Sequence, residues 1–381
     1  MKYNLMHKNV HVLDITLDDS IGTIHTVEEI YNIEHLPIGT FQGKTFNGND
    51  FKHWWIGRSI PASRSGLKDA LEILDIPVPT SLISKCMGLS LSDQYWIRPD
   101  GSDLKWKDIN FFSNEFSEDI GNLLFGYQKH GIDISLNSPD NTSDGILKKR
   151  WKIVDGKRCL IKSGGGPSIQ EPFNEVIASI LMRSQNIPCC DYSLMWDNGR
   201  PCSICEDFIN TDTEYINASN LIQSYSSKKD GNTFDRYVKS CDDVNVDITD
   251  QLDRMIVIDY IMMNTDRHLG NFGLVRNAND LEYIGPAPIF DTGTSLGCSL
   301  LTREFKDIKD DRCKPFKRTF EEQLSLVSTF EWVDMDAMYS SMDDIEKVLR
   351  TNRFLDDDRV NAITGLLQSR MNSLDRTARD R

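Results

Sequence analysis

The chain has 381 residues, of which 39% are hydrophobic and 27% charged, with a formal net charge of −15 at pH 7. This composition predicts a well-buried core in two or three domains, or in one two-lobed enzyme. The acidic balance argues against binding to nucleic acid or an anionic membrane through the overall field of the protein. Nine cysteines, no amino-terminal signal segment and no apolar run of about 18 residues predict reduced thiols and a cytoplasmic location, although export without a cleavable signal stays open.

The first part of the chain, residues 1–133, is predicted as an amino-terminal extension or subdomain. Residues 8–60 contain short strand-like runs such as "NVHVLDITL", separated by turn residues. Residues 65–75 carry leucine and alanine at helical spacing, with Ser65 as the expected cap. The polar stretch "ISLNSPDNTSDGI" at 134–146 then predicts a loop or linker.

Residues 134–210 read as a sheet-rich lobe with one helix. "KKRWKIV" and "CLIKS" flank Asp155-Gly156, a strong tight-turn pair, and therefore predict a β-hairpin. "FNEVIASILMRSQN" has apolar residues at helical spacing and predicts an amphipathic helix. "DYSLMW" and "PCSICEDFI", joined by "DNGR", predict a second hairpin.

Residues 211–381 are predicted as a mainly helical lobe. The polar stretch 224–248 is expected to be a mobile insertion, and 249–263 a buried helix that ends in "MNTDRHLGNFG". Residues 272–290 predict strand, turn and strand, and the pattern from 318 onward is mostly helical. The whole order predicts an α+β, two-lobed, protein-kinase-like fold with an amino-terminal extension.

Four cysteines, 189, 190, 202 and 205, form the pattern "CC…CSIC". Because Cys-x-x-Cys is half of a common zinc site, a zinc centre is one interpretation. No histidine lies near in the sequence, and the favoured interpretation is two strands with buried thiols.

Phosphoryl transfer from ATP needs a few polar and charged groups, and each has a candidate here, in the chain order of a protein-kinase-like pair of lobes. A lysine holds the phosphates, an acid positions that lysine, a carboxylate orients the acceptor hydroxyl, and an amide and a second carboxylate bind Mg²⁺. The candidates in this order are Lys162, Glu175, Asp266, Asn271 and Asp291. Taken alone, each has an ordinary explanation as a solvated, helix-terminal or turn residue. Their order on the expected elements is what argues against coincidence.

Two motifs carry a resemblance to a known family. "NTDRHLGNFG" resembles the catalytic loop of HipA-like serine/threonine kinases, and "PIFDTG" resembles their metal-binding segment. The Asp-Arg-His-x-x-Asn order is also similar to the loop of phosphatidylinositol kinases. The motif match covers residues 143–300, and the segment "FDTG" departs from the Asp-Phe-Gly order of ordinary protein kinases.

The resemblance implies roles for the matching residues. Asp266 would be the catalytic base, with Arg267 and His268 supporting its loop, while Asn271 and Asp291 would bind Mg²⁺. Lys162 would contact the ATP phosphates. The backbone of the segment with Glu206, Asp207 and Phe208 is expected to receive the adenine.

Residues 142–152 lie where such kinases have a phosphate-covering loop, so Ser143 and Gly145 are candidate nucleotide-binding residues. The single glycine departs from G-x-G-x-x-G, which puts cradling by backbone amides alone in doubt. Ser143 or Thr142 is a candidate for inhibitory autophosphorylation.

The function expected from these residues is that of an ATP- and Mg²⁺-dependent serine/threonine protein kinase. The resemblance adds a role as the toxin of a toxin–antitoxin pair, with a small DNA-binding antitoxin as candidate partner and no direct contact with nucleic acid. The alternatives are a small-molecule or phosphoinositide-like lipid kinase, a nucleotide-binding pseudokinase or regulatory module, and an interaction scaffold built on the first 130 residues.

Overall fold

The computed structural model describes residues 1–127, 133–310 and 312–380, so residues 128–132 of the predicted extension lie outside the described residues. The strands are β1 Lys2–His7, β2 Val10–Asp18, β3 Thr23–Ile30, β4 Phe41–Gln42, β5 Thr45–Phe46, β6 Tyr95–Pro99, β7 Lys149–Val154, β8 Lys157–Ser163, β9 Ser193–Asp197, β10 Arg200–Glu206, β11 Thr213–Asn217, β12 Gly273–Asn277 and β13 Tyr283–Pro286. The helices are α1 Gly48–Gly57, α2 Leu67–Leu74, α3 Ser81–Lys85, α4 Trp106–Ile109, α5 Asp119–Phe125, α6 Glu171–Ser184, α7 Ala218–Tyr225, α8 Thr233–Asp242, α9 Thr249–Met262, α10 Phe320–Leu324, α11 Met335–Ser340, α12 Met342–Arg350 and α13 Asp357–Asp380.

The chain divides into two compact units that are not continuous in sequence. Unit 1 contains Met1–Ile161, Asp207–Asp230 and Leu274–Gly285. Unit 2 contains Lys162–Glu206, Gly231–Gly273 and Pro286–Arg381. Compactness does not by itself mark kinase lobes, so the predicted boundaries at 133/134 and 210/211 stay predictions.

Unit 1 is built on an antiparallel sheet with the strand order β3-β2-β1-β6. Alternate residues of β2, among them Leu13, Ile15 and Leu17, are buried, as the alternating sequence pattern predicts. Trp55 of α1 lies in the same hydrophobic cluster, and its indole nitrogen donates to the carbonyl of Gly22 at 2.8 Å. Burial of the ring and a partner for its N–H together fix α1 in this core.

A buried ionic cluster also lies in unit 1. Glu214 of β11 accepts a hydrogen bond from Arg276 Nε of β12 at 2.7 Å, and His7 Nε2 of β1 lies 3.1 Å from its other oxygen. Burial alone would raise the pKa of Glu214, but Arg276 and His7 outweigh it and lower that pKa to about 2. The cluster, which we call the closed triad, therefore holds three strands of this unit together.

Unit 2 is mainly helical. α13 buries Val360, Ile363, Leu367, Met371 and Leu374, and this spacing of three or four residues gives it one continuous apolar face. α6 and α13 both pack against α9, whose residues from Met255 to Met262 are all buried. No helix among the residues that the structure describes is long and apolar enough to cross a membrane.

The structure corrects two local predictions. Ser65 does not cap α2: the cap is Gly66, whose φ of 85° is a conformation that glycine adopts freely. The predicted mobile insertion contains α8, which begins with a reciprocal capping box between Asn232 and Asp235. The short buried face of α8 consists of Tyr237, Ser240 and Cys241, and the polar majority of its residues hid this helical periodicity.

Candidate active site

Lys162 is the centre of a polar cluster in unit 2. It lies at the end of β8, and its Nζ donates to Glu175 Oε1 at 2.9 Å and to Asp291 Oδ1 at 2.7 Å. A third hydrogen bond joins it to the Tyr192 hydroxyl at 3.1 Å. One lysine thus bridges two carboxylates from distant parts of the chain, and we call these three charged residues the open triad.

Helix α6 positions both Glu175 and the segment after Asp291. Glu175 Oε2 accepts hydrogen bonds from the backbone nitrogen of Thr292 at 2.9 Å and from its hydroxyl at 2.8 Å. The neighbouring Asn174 donates to the carbonyls of Gly293 and Ser295. Two consecutive residues of one helix therefore fix residues 292–295 by main-chain contacts.

The electrostatics of the open triad keep Lys162 charged. Burial opposes the ammonium form, but the carboxylates of Asp291 and Glu175 outweigh burial and raise the pKa of Lys162 well above its ordinary value. Asp291 keeps 34% of its side chain exposed, against 3% for Glu175. The backbone of Asp291 is left-handed, with a φ of 57°, which is a strained conformation for a non-glycine residue.

The loop after α9 is organised by a buried ion pair. Arg267 Nε donates to Asp259 Oδ2 at 2.9 Å, and both side chains are fully buried. Asn264 donates to the other oxygen of Asp259 and accepts from the backbone nitrogen of Asp266. The last turn of α9 therefore sets the position of Asp266 through a short chain of hydrogen bonds.

Arg267 also joins this loop to the segment with Asp291. Its Nη1 donates to the carbonyl of Asn271 at 2.9 Å and to the carbonyl of Phe290, the residue before Asp291. Burial opposes its charge, yet Asp259 outweighs burial and raises the pKa of Arg267. Arg267 therefore contacts both segments that carry the predicted metal ligands, and its supporting role stays a prediction.

The polar residues of the loop have different surroundings. Asp266 is partly exposed, and Lys314 Nζ donates to its Oδ1 at 3.0 Å. The side-chain nitrogen of Asn271 donates to the carbonyl of Asp266 at 3.1 Å, which directs the amide oxygen away from that bond. His268 is exposed, and its Nδ1 accepts from the backbone nitrogen of Gly270 at 3.1 Å.

The donor atoms fit a hard divalent cation. Asn271 supplies an amide oxygen and Asp291 a partly exposed carboxylate, and Mg²⁺ prefers such oxygen ligands. The open triad carries two carboxylates against one ammonium, so an added cation would balance its charge. These two residues would hold the metal, and Lys162 would remain beside it as a phosphate ligand.

The predicted nucleotide-binding residues 143 and 145 lie in unit 1, where Arg64 binds them. Arg64 donates to the Ser143 hydroxyl and carbonyl, both at 2.6 Å, and to the Gly145 carbonyl at 2.8 Å. The Ser143 hydroxyl in turn donates to the carbonyl of Asp140, and Thr142 is also buried. Burial raises the pKa of Asp140 to about 7. The middle of the predicted linker 134–146 is therefore an anchored, buried turn.

The predicted adenine-binding segment begins at the end of β10. Glu206 is exposed and belongs to unit 2, whereas Asp207 and Phe208 belong to unit 1. The backbone nitrogen of Asp207 donates to the Arg158 carbonyl at 2.8 Å, and the Phe208 ring packs edge-on against Tyr215. The role of this segment in binding adenine stays a prediction.

Three of the four cysteines of the pattern, Cys190, Cys202 and Cys205, are buried. Within residues 1–127, 133–310 and 312–380, no group of three or more His, Cys, Asp or Glu side chains is placed to hold an ion. Burial raises the pKa of Cys189 to about 11, whereas a hydrogen bond with Cys190 lowers the pKa of Cys205.

Sequence reasoning missed several residues that contact the site, namely Asp259, Tyr192, Thr292 and Lys314. Asp259 had a readable signal, because it is a single acid among apolar residues in "MIVIDYIMM". A lone carboxylate inside a buried helix needs a partner, and the arginine of the next loop was available. Lys314 had no such signal, since it reaches Asp266 from 48 residues away.

The comparisons with known proteins support the fold. No family model and no curated protein matches the chain. The HipA toxin of Shewanella oneidensis MR-1, solved with HipB and operator DNA, is similar over 100% of this chain and 99% of its own, at 13% identity and a TM-score of 0.53. This likeness confirms the predicted α+β, kinase-like fold and agrees with the resemblance that the motifs carry.

Two further solved structures are similar over part of the chain. The proinflammatory kinase CtkA of Helicobacter pylori has 19% identity and a TM-score of 0.45, over 61% of this chain and 94% of its own. A Golgi casein kinase with Mn and ADP bound has 14% identity and a TM-score of 0.33, over 60% of this chain and 70% of its own. At these TM-scores we draw nothing from either likeness.

Proposed function

We propose that the chain is an ATP- and Mg²⁺-dependent kinase that phosphorylates serine or threonine in a protein. The observation that carries the proposal is the double contact of Lys162 Nζ, 2.9 Å from Glu175 Oε1 and 2.7 Å from Asp291 Oδ1. A lysine held in this way is ready to bind phosphate oxygens, and its acidic partners keep it charged.

The residues of the chain divide the work as follows. Lys162 binds the phosphates and Glu175 holds Lys162 in place. Asp266 orients the acceptor hydroxyl and takes its proton, while the oxygens of Asn271 and Asp291 bind the metal. Bound Mg²⁺ would neutralise the charge that develops on the phosphate oxygens during transfer. Most of the rate enhancement comes from positioning, which the buried Arg267 maintains on both sides of the site.

Three finer points belong to the same proposal. The protein works in the cytoplasm, and a small DNA-binding antitoxin, by analogy with the HipB of the similar toxin complex, is its candidate partner. Autophosphorylation at Ser143 or Thr142 requires the turn to leave Arg64, because the Ser143 hydroxyl is buried between Arg64 and the Asp140 carbonyl. Phosphopeptide mapping after incubation with Mg-ATP would detect it.

The test of the proposal is phosphoryl transfer from γ-labelled ATP to proteins of a cell lysate. The Asp266→Asn variant keeps the shape of the side chain but loses the base, so we expect transfer to fall about 10²–10⁴-fold. Asp69→Asn, an exposed change on α2, is the matched control and should transfer at the wild-type rate. Label confined to a lipid or small-molecule fraction, or equal transfer by Asp266→Asn, would contradict the proposal.

A further inference from the structure

The segment that follows Asp291 differs in charge from the rest of the chain. Residues 303–318 contain seven Lys or Arg against four Asp or Glu, although the whole chain has a net charge of −15. Four of these cations, Arg303, Lys306, Lys309 and Arg312, recur at every third residue. Arg303 and Lys306 lie in a 3₁₀ turn, Thr302–Asp307, where residues three apart point to the same side.

These four cations line one cavity of about 550 Å³ in unit 2. Such a volume lies within the range of about 300–1,000 Å³ that is typical of ligand-binding clefts. Apolar side chains of Met263, Leu300 and Ile308 also line it, together with Thr265. We call this cavity the basic groove.

The part of the basic groove lined by residues 297–300 is held firmly by hydrogen bonds. Arg359 of α13 is buried and donates to the carbonyls of Gly297 and Leu300 at 2.8 and 2.7 Å. Gln170 donates to the carbonyl of Leu296 at 3.0 Å and accepts from Arg359. The groove therefore has a preformed wall, which reduces the entropy cost of binding an extended ligand.

The cations of the groove have little to neutralise them. All four are exposed, and no ion pair of theirs is found among the described residues of the chain. Of the two acids that line the groove, Glu304 accepts from the backbone nitrogen of Leu301 and so serves the turn. Cations clustered in a cleft create a local positive potential that attracts an anionic ligand.

The basic groove is continuous with the proposed acceptor site. Thr265, which lines it, precedes Asp266 in the chain, and both its backbone nitrogen and its hydroxyl donate to the Thr294 carbonyl. Lys314, which belongs to the basic segment 303–318, also contacts Asp266: its Nζ lies 3.0 Å from Asp266 Oδ1. A chain bound in the groove would therefore lead its hydroxyl-bearing residue toward Asp266.

We infer that the basic groove binds an acidic segment of the protein substrate beside the phosphorylated serine or threonine. This inference deepens the proposed function and rests on it for the role of Asp266. A peptide suits the groove better than nucleic acid does, because the remainder of the surface is acidic and would repel a long polyanion. The apolar floor also offers contacts for side chains between the acidic ones.

The test uses fluorescence anisotropy with the full chain and a labelled serine peptide flanked by Asp and Glu. Binding needs no phosphoryl transfer, so its result is separate from that of the kinase test. We expect the acidic peptide to bind about tenfold or more tightly than a peptide in which lysine replaces each Asp and Glu. The affinity for the acidic peptide should fall as ionic strength rises.

Charge-removing variants locate the binding site. The triple variant Arg303→Ala, Lys306→Ala, Lys309→Ala should lower the affinity for the acidic peptide about tenfold or more. Lys44→Ala, Arg200→Ala, Lys228→Ala removes the same charges from exposed positions outside the groove and should leave affinity within about twofold. Equal loss in both variants, or no preference for acidic peptides, would overturn the inference. So would tighter groove-dependent binding of a single-stranded oligonucleotide or of phosphatidylserine vesicles.

Discussion

Each unit contains an ionic triad, and the two triads differ in the number of carboxylates and in the exposure of their side chains. In the closed triad of unit 1, one carboxylate, Glu214, lies between Arg276 and His7, and the side chains are at most 3% exposed. In the open triad of unit 2, one ammonium lies between two carboxylates, and Asp291 is 34% exposed.

The comparison teaches that burial of charge does not by itself mark a functional site. In the closed triad, Glu214 is paired with Arg276, and its side chains are almost wholly buried, which is typical of a structural role. The open triad is left one cation short, and one of its carboxylates reaches solvent from a strained backbone. Negative charge that a ligand can reach is the feature on which we base the proposal that the open triad is a binding site and the closed triad a structural one.

Removing the cation of the open triad should lower phosphoryl transfer strongly and change the stability of the fold much less. Lys162→Met keeps the aliphatic stem and loses the charge, so phosphoryl transfer should fall about 10²–10³-fold. Unfolding in urea should change less than it does for Glu214→Gln, because Glu175 keeps its two hydrogen bonds from Thr292. The exposed Lys44→Met is the control. A variant that unfolds readily but transfers phosphate normally would reverse the assignment of the two triads.

Neutralising the carboxylate of the closed triad should have the opposite result. Glu214→Gln leaves Arg276 buried without a counter-charge, and we expect the free energy of unfolding to fall by about 3 kcal/mol at neutral pH. Urea denaturation measures this loss. ATP affinity per folded molecule should stay at the wild-type value, and a selective loss of ATP binding at full stability would contradict a structural role.

The same variant predicts a pH dependence. The pKa of Glu214 in the folded protein is lowered to about 2, whereas a glutamate in the unfolded chain titrates near 4.5. A lowered pKa contributes stability that is complete above the unfolded value and is lost as the pH falls through the folded one. The difference in unfolding free energy between wild type and Glu214→Gln should therefore shrink between pH 4.5 and 2. A constant difference across this range would argue against the lowered pKa.

The smallest expected effect concerns the lysine that contacts Asp266. Lys314→Ala removes a cation 3.0 Å from the proposed base, so kcat should fall about tenfold while ATP affinity is unchanged. Lys317→Ala, three residues further along the same basic segment, is the matched control. Steady-state kinetics with the acceptor held constant would measure both variants, and equal effects would assign Lys314 to general charge rather than to contact with Asp266.

Local patterns accounted for much of the fold. Asp155-Gly156 predicted the hairpin of β7 and β8, because both residues adopt the positive φ that a tight turn needs. Helical spacing predicted α6, and a continuous apolar run predicted α9. Helix α8 was missed because two buried apolar residues, Tyr237 and Cys241, are too few in a polar stretch to define a period.

The sequence predicted the residue types of the candidate site but not the long-range contacts that hold them in place. The order Lys162, Glu175, Asp266 and Asp291 was readable, and two hydrogen bonds of Lys162 agree with it. Contacts such as Arg64 with Ser143 join residues 79 positions apart, and no local pattern encodes them. The basic groove was missed because the overall charge of −15 hid one positively charged segment.

The central claim is that the open triad and Asn271 form a site for ATP and Mg²⁺. Isothermal titration calorimetry with ATP, with and without Mg²⁺, tests it directly in the wild type and in Asp291→Asn. We predict that Mg²⁺ raises ATP affinity about tenfold or more in the wild type and has little effect in the variant. Equal affinity with and without Mg²⁺ in the wild type, or the same response in Asp291→Asn, would contradict the account.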